Sequence, residues 1–245
     1  MCLKKIFAFL TICLAIVGCS KHDPILPGER YDIFDNSDIK VIDKDVPALS
    51  DTVKNIYGDS DCDYTQDEKN TILLGDKKIF RGIVTDNSVK NNQKPICVGN
   101  FLYTGLSTGE VIKLNTKNNQ IVWTTDVYKE TNLTGGSGVV DIVARIGADK
   151  NFVYAGGLGD AFCKLKSING DKVWCVNISV PVDFILIDDF AFVVGADNNL
   201  YAINTTDGSV YWKTNVEKQK TPKYDGTNII VGREKINYSN GKIVK

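Results

Sequence analysis

Seven cysteines and a single histidine, His22, limit what chemistry this 245-residue chain can do. With no C-x-x-C pair and one histidine, a zinc site of the usual Cys/His type is not expected. Asp59, Asp61 and Asp63 in DSDCD imitate the start of a calcium loop. Tyr64 stands where that loop needs glycine and Asn70 where it needs a bidentate glutamate, so the stretch reads as a solvated acidic segment. TGGSG, Thr134 to Gly138, is glycine-rich but lacks the lysine of a phosphate loop. GGLGDA, Gly156 to Ala161, looks like a nucleotide-binding turn but leads into a strand pattern where that motif needs a helix. No catalytic residue, metal ligand set or cofactor is expected from these stretches.

The N-terminus carries the clearest chemical signal. Lys4 and Lys5 precede an uncharged apolar run, IFAFLTICLAIV from Ile6 to Val17, which meets Gly18-Cys19-Ser20. That is the layout of a secretory signal peptide, and its apolar run is shorter than the roughly 18 residues of a membrane-spanning helix. Its end, I-V-G-C, resembles the lipobox of bacterial lipoproteins. The resemblance implies that Cys19 becomes the mature N-terminus, with a diacylglycerol on its thiol and a third acyl chain on its amine, holding the protein to a membrane by lipid. An ordinary cleaved signal, or an uncleaved anchor, is the alternative. Ser20 after the cysteine, by the same resemblance, implies sorting to the outer membrane with the body facing the periplasm.

Cys2 and Cys13 leave with the signal, so Cys62, Cys97, Cys163 and Cys175 remain in an oxidising compartment, where four cysteines allow three full connectivities. Cys163 and Cys175 flank one expected hairpin. A slip of one residue in its register would put them on opposite faces, so a disulfide and two small buried residues are both open readings.

Loss of residues 1–18 leaves 27 basic against 30 acidic residues, a net charge of −3. That gives no surplus for phosphate neutralisation, and nucleic acid is not an expected partner. Residues 19–70 hold three of the six prolines, many charges and little periodicity; they read as a tether, with one short helix expected near Ser50 to Tyr57. From Thr71 to Lys245 the chain changes to short β-rich runs separated by Gly, Asn and Asp.

Those runs repeat. EVIKLNTKNNQIVW ends at Trp123, AFCKLKSINGDKVW at Trp174, LYAINTTDGSVYW at Trp212, and EKINYSNGKIVK at Lys245. Leu114, Leu165, Ile203 and Ile236 align, as do Asn119, Gly170, Gly208 and Gly241. Upstream of each hairpin lies a second shared piece, two strands about a polar turn: PICVGNFLYTG, ADKNFVYAGG, IDDFAFVVG and YDGTNIIVG. Four-stranded antiparallel units recurring at tryptophan spacings of 51 and 38 residues are the pattern of propeller blades. One such sheet cannot bury both faces alone, so each must cover its neighbour. The tryptophan supplies a large apolar face with an N–H that needs a partner.

AINTTDGSVYW, Ala202 to Trp212, resembles the repeat A-x-D-x-x-T-G-x-x-x-W of the pyrroloquinoline-quinone-like β-propellers, whose docking tryptophans are here Trp123, Trp174 and Trp212. With the lipobox, PILPGER at Pro24 to Arg30, TGGSG and DNNLYAIN at Asp197 to Asn204, the chain is similar to the BamB-like outer-membrane assembly lipoproteins. That resemblance implies a non-catalytic periplasmic scaffold that docks on the POTRA domains of a BamA-like barrel-forming subunit and helps present nascent outer-membrane proteins. The quinoprotein dehydrogenases share the repeat, and a quinone-dependent enzyme is the alternative, as is a truncated remnant without function. Those enzymes hold their cofactor in a closed funnel with calcium, a catalytic aspartate and often adjacent cysteines, and no adjacent cysteines occur here. The BamB-like family has eight four-stranded blades, whereas about four are expected here, so a partial or open ring and a C-terminally short chain are expected.

Overall fold

The computed structural model describes residues 39–49, 62–83, 89, 94–129 and 138–244. Their regular structure is all β: four four-stranded antiparallel sheets and one of three strands. Blade 1 comprises β1 (Tyr64–Gln66), β2 (Thr71–Leu74) and β3 (Lys77–Arg81); blade 2 comprises β4 (Ile96–Val98), β5 (Phe101–Gly105), β6 (Glu110–Asn115) and β7 (Gln120–Asp126). Blade 3 contains β8 (Gly147–Ala148), β9 (Phe152–Gly156), β10 (Phe162–Lys166) and β11 (Lys172–Val176); blade 4 contains β12 (Phe184–Ile187), β13 (Phe190–Val194), β14 (Asn199–Asn204) and β15 (Val210–Asn215). Blade 5 is β16 (Lys223–Tyr224), β17 (Asn228–Val231), β18 (Glu234–Asn237) and β19 (Ile243–Val244). In every sheet the spatial order of strands is the chain order, so each blade is a meander of hairpins.

The local sequence explains the meander. The third and fourth strands of blades 2 to 5 are joined by loops that begin with a four-residue turn, whose last residue, Asn119, Gly170, Gly208 or Gly241, has φ between 58° and 79° and donates its N–H to the last carbonyl of the third strand. In blades 2, 4 and 5 the third strand ends with an asparagine whose side chain accepts the N–H two residues on, as Asn115 does from Lys117 and Asn204 from Thr206. One residue past the loop the register shifts, between Lys113 and Leu114, Lys164 and Leu165, and Ala202 and Ile203. That bulge lets the tryptophan oppose Lys113, Lys164 or Ala202. Blade 1 shifts in the same way between Ile72 and Leu73, which puts Phe80 where the other blades carry tryptophan.

Strand alternation then sends successive side chains to opposite neighbours. On β6, Ile112 and Leu114 pack with Tyr64 and Ile72 of blade 1, while Val111 joins Val153, Ala155 and Leu165 of blade 3. Likewise Tyr154 and Phe162 of blade 3 meet Val193, Tyr201 and Ile203 of blade 4, and Phe192, Leu200 and Trp212 of blade 4 meet Ile229, Val231 and Ile236 of blade 5. The core is therefore a series of layers between sheets. Each fully buried aliphatic side chain in it contributes about 1.5–3 kcal/mol.

Two features differ from the sequence expectation. Strand β1 falls inside the stretch read as tether, so sheet structure begins before Thr71. Within the same stretch, Val41 makes a parallel bridge to Val210, and the N–H groups of Ile42 and Lys44 donate to the carbonyls of Val210 and Tyr211. Val46 N–H then donates to the Ser239 carbonyl of blade 5, and the Val46 side chain is buried between blades 4 and 5. The segment closes one outer edge of blade 4, where β15 has no other strand partner. The short helix expected near Ser50 to Tyr57 lies outside the described residues.

Candidate functional site

The seams between blades are built on one repeated arrangement. The first carbonyl of each four-residue turn, at Thr116, Ser167, Thr205 or Tyr238, accepts a hydrogen bond from the preceding blade. The indole N–H of Trp123 donates to Ser167 at 3.0 Å, that of Trp174 to Thr205 at 3.1 Å, and that of Trp212 to Tyr238 at 3.1 Å. Blade 1 has no tryptophan, and there the Tyr64 hydroxyl donates to Asn119 Oδ1 at 3.1 Å and reaches the Thr116 carbonyl at 3.5 Å.

The turn's final residue meets the same ring. A Cβ at Gly170 would stand 2.8 Å from Trp123, at Gly208 2.9 Å from Trp174, and at Gly241 2.7 Å from Trp212. Glycine is thus required at these positions twice over, for its positive φ and because the indole covers it. Asn119 escapes the second requirement because its neighbour is Tyr64 rather than an indole.

Two lysines share the accepting carbonyls, a role absent from the repeat as read from sequence. Lys113 Nζ donates to the Ser167 carbonyl at 2.6 Å and lies 3.9 Å from the Phe101 ring centroid; Lys164 Nζ donates to Thr205 at 2.8 Å and lies 3.8 Å from the Phe152 centroid. The aromatic faces stabilise ammonium groups that burial would otherwise penalise, and burial holds the Lys113 pKa below the usual lysine value. Two residues past the tryptophan, Thr125 and Thr214 add hydroxyl bonds to the carbonyls of Gly170 and Gly241. The sequence signal for both features is a polar residue at a fixed offset from two of the three tryptophans, Lys113 and Lys164 ten residues before Trp123 and Trp174, and Thr125 and Thr214 two residues after Trp123 and Trp212.

The cysteines also bind elements together. Cys163 and Cys175 are direct register partners on β10 and β11 and form a disulfide, and a second disulfide joins Cys62, beside β1, to Cys97 on β4, fastening blade 1 to blade 2. Cys19 lies outside the described residues, as do Asp59, Asp61 and most of TGGSG. Asp63 precedes β1, and GGLGDA forms the end of β9 and its connection to β10. Among the described residues no cluster of three or more His, Cys, Asp or Glu could hold a metal.

The buried charged groups serve connections. Asp183 is paired with Arg145, yet its burial outweighs the guanidinium and raises its pKa. Asp141 accepts the N–H of Val89, and burial raises its pKa as well. Both sit on the segments leading into blades 3 and 4, where they fasten the chain between sheets.

An open cavity of about 740 Å³ lies where the blade 4 to blade 5 connection passes the turn between β17 and β18. Lys218, Lys220, Lys223 and Arg233 line it, with Glu217 and Glu234 beside them. Its wall is strongly charged. Sequence reading did not single it out, because its cations are spread across three elements and no motif joins them.

Comparison with known proteins agrees with this architecture. The family model described as "Outer membrane protein assembly factor BamB" matches residues 80–214. The outer membrane protein assembly factor BamB of Legionella pneumophila is 24% identical over 147 residues, a match covering 59% of this chain and 38% of that protein. The crystal structure of BamB from Moraxella catarrhalis superimposes with a TM-score of 0.61 at 20% identity, covering 72% of this chain and 58% of that one. A quinohemoprotein alcohol dehydrogenase from Comamonas testosteroni also matches, at 20% identity over 52% of this chain and 21% of that one, with a TM-score of 0.43 that carries no argument. The chain thus spans well under two thirds of the length of these relatives.

Proposed function

Since the chain belongs to the family of the outer membrane protein assembly factor BamB, we propose that it is a non-catalytic scaffold of outer-membrane β-barrel assembly, working in the periplasm from a lipid anchor on Cys19. The observation that carries the proposal is the family match over residues 80–214, which includes the seams of blades 2, 3 and 4. The indole, lysine and threonine bonds of the seams join successive blades, and the buried side-chain polar groups all have hydrogen-bond partners among the described residues, which supports a surface that other proteins grip. On this reading the partners are the POTRA domains of a BamA-like subunit and nascent outer-membrane proteins, and the signal peptide is removed before Cys19.

Two measurements test it. A tagged full-length chain, extracted in mild detergent, is expected to co-purify the barrel-forming subunit; repeated failure to do so sinks the assembly role. Metabolic labelling with palmitate is expected to mark the wild-type chain and not Cys19→Ala, and a labelled Cys19→Ala chain would rule out the anchor at that residue.

A further inference from the structure

In blades 3 and 4 the turn between the second and third strands is stitched to the chain that enters the blade, and in blade 2 it is stitched to the β1–β2 turn of blade 1. The N–H of Leu158 donates to the Asp141 carbonyl, that of Ala196 to Ser179, and that of Ser107 to Asn70 Oδ1. The segments entering blades 3 and 4 also donate to the turn of the preceding blade, Ile142 to the Leu106 carbonyl of blade 2 and Val180 to the Gly157 carbonyl of blade 3. These junctions are packed shut: a Cβ at Gly157 would stand 2.0 Å from the Asp141 carbonyl.

Blade 5 departs from this. Its turn holds two residues, Gly232 and Arg233, where blade 2 has residues 106–109 and blade 4 has residues 195–198. Gly232 has φ of 63°, as the first central residue of a tight hairpin turn requires. So short a turn does not reach the connecting chain. The Arg233 N–H and those of Lys218, Gln219, Lys220 and Thr221 find no protein acceptor among the described residues. At Gly232 the nearest atom to an added Cβ would be Lys220 Cγ, 3.7 Å away. The junction is held instead by side chains: Gln219 Nε2 donates to the Ala196 carbonyl, and Glu234 Oε2 accepts the Glu217 N–H.

The cavity that results is rich in donors and short of acceptors. Lys218, Lys220, Lys223 and Arg233 are exposed and make no ion pair among the described residues, while Glu234 is engaged by Glu217. Four cations against two glutamates leave the wall positive on a chain whose net charge is −1. Half-buried Ile230 and buried Val231 give it an apolar floor. Its volume is in the range of small-ligand sites. The cations are long side chains carried by three elements, Lys218 and Lys220 on the connection, Lys223 on β16 and Arg233 on the β17–β18 turn, an array suited to several carboxylates along a chain.

We propose that this cavity binds an acidic polypeptide segment, with Lys218, Lys220, Lys223 and Arg233 receiving its carboxylates and Ile230 an apolar side chain between them. The inference goes beyond the scaffold role and does not rest on it, since the purified full-length chain is enough to test it. The probe is a fluorescein-labelled peptide of alternating glutamate and leucine, followed by anisotropy. Binding is expected to weaken several-fold as salt rises from about 50 to about 300 mM, because exposed charges are screened over a shortening distance. The triple variant Lys218→Ala, Lys220→Ala, Lys223→Ala is expected to bind about 10-fold or more weakly. Its arginine counterpart, Lys218→Arg, Lys220→Arg, Lys223→Arg, should retain binding, and Arg233→Ala alone should show a smaller loss. All four positions are exposed, and an unchanged thermal midpoint checks the fold.

Equal binding by wild type and the triple alanine variant overturns the proposal, as does equal binding of the peptide with lysine in place of glutamate. Displacement of the peptide by millimolar inorganic phosphate would reassign the cavity to small anions. Lysine-dependent binding to vesicles of phosphatidylglycerol and phosphatidylcholine in equal parts, with no peptide binding, would reassign it to a lipid surface; either result ends the peptide assignment.

Discussion

Trp174 in blade 3 donates its indole N–H to the Thr205 carbonyl of blade 4 at 3.1 Å, and the same ring lies over Gly208 at the far end of that turn. One side chain thus reads both ends of the neighbouring blade's turn. The hydrogen bond fixes where the turn begins, and the stacked face demands that it end without a side chain.

Trp174→Phe should therefore cost about 1 kcal/mol, since most of the ring contact survives and the Thr205 carbonyl keeps its bond from Lys164. Trp174→Ala should cost about 3 kcal/mol, because the cavity is added to the lost bond. Urea unfolding midpoints with unchanged slope decide between these values. A phenylalanine variant as unstable as the alanine one would show that the indole N–H, not the ring, carries the seam.

Gly208→Ala and Gly75→Ala form a matched pair. Both glycines have positive φ, 78° and 58°, but an added Cβ meets Trp174 at Gly208 and nothing within 4 Å at Gly75. Gly75→Ala should cost about 1–2 kcal/mol, the left-handed penalty alone, and Gly208→Ala measurably more. Equal losses would mean that the indole moves aside freely.

How much of this was open to sequence reading follows from where each interaction lies along the chain. The hairpins, their loops and the positions of Trp123, Trp174 and Trp212 are local and periodic, so alternation and turn residues expose them. Alignment of the repeats also gave Gly170, Gly208 and Gly241, but only for their φ; that they carry an indole is a contact between blades. The roles of Lys113 and Lys164 are not local, since nothing in one hairpin shows that Ser167 or Thr205 of the next will accept from them. Least legible was the run from Ile39 to Val46. It has no strand period, and it pairs with residues about 170 positions away through a bridge that no local pattern announces.

The two disulfides should differ in weight. Cys62 and Cys97 are 35 residues apart and Cys163 and Cys175 are 12 apart. Restriction of the unfolded chain predicts about 4 kcal/mol for the longer loop and about 3 kcal/mol for the shorter. Paired serine variants, compared by thermal and urea unfolding, check this order. Its reversal would place the larger effect in the cross-link within blade 3 rather than in the one between blades.

Burial pushes the Tyr154 phenol up to about 12, despite a hydrogen bond with Thr205 that favours the phenolate. A folded-state pKa above the unfolded value near 10 means stability that is full below pH 10 and lost as pH rises towards 12. Tyr154→Phe should flatten that part of the profile in rapid urea-unfolding measurements, and an unchanged slope would exclude Tyr154 as its source.

Residues 41–46 can take their places on β15 and at Ser239 only once those partners exist. During synthesis they leave the ribosome well over a hundred residues ahead of Val210, and blade 1 can pair with blade 2 before Val210 emerges. Assembly of this chain therefore runs on two clocks, a sequential one that adds each sheet to the last, and a delayed one in which an early-made segment waits to be fastened down until blades 4 and 5 exist.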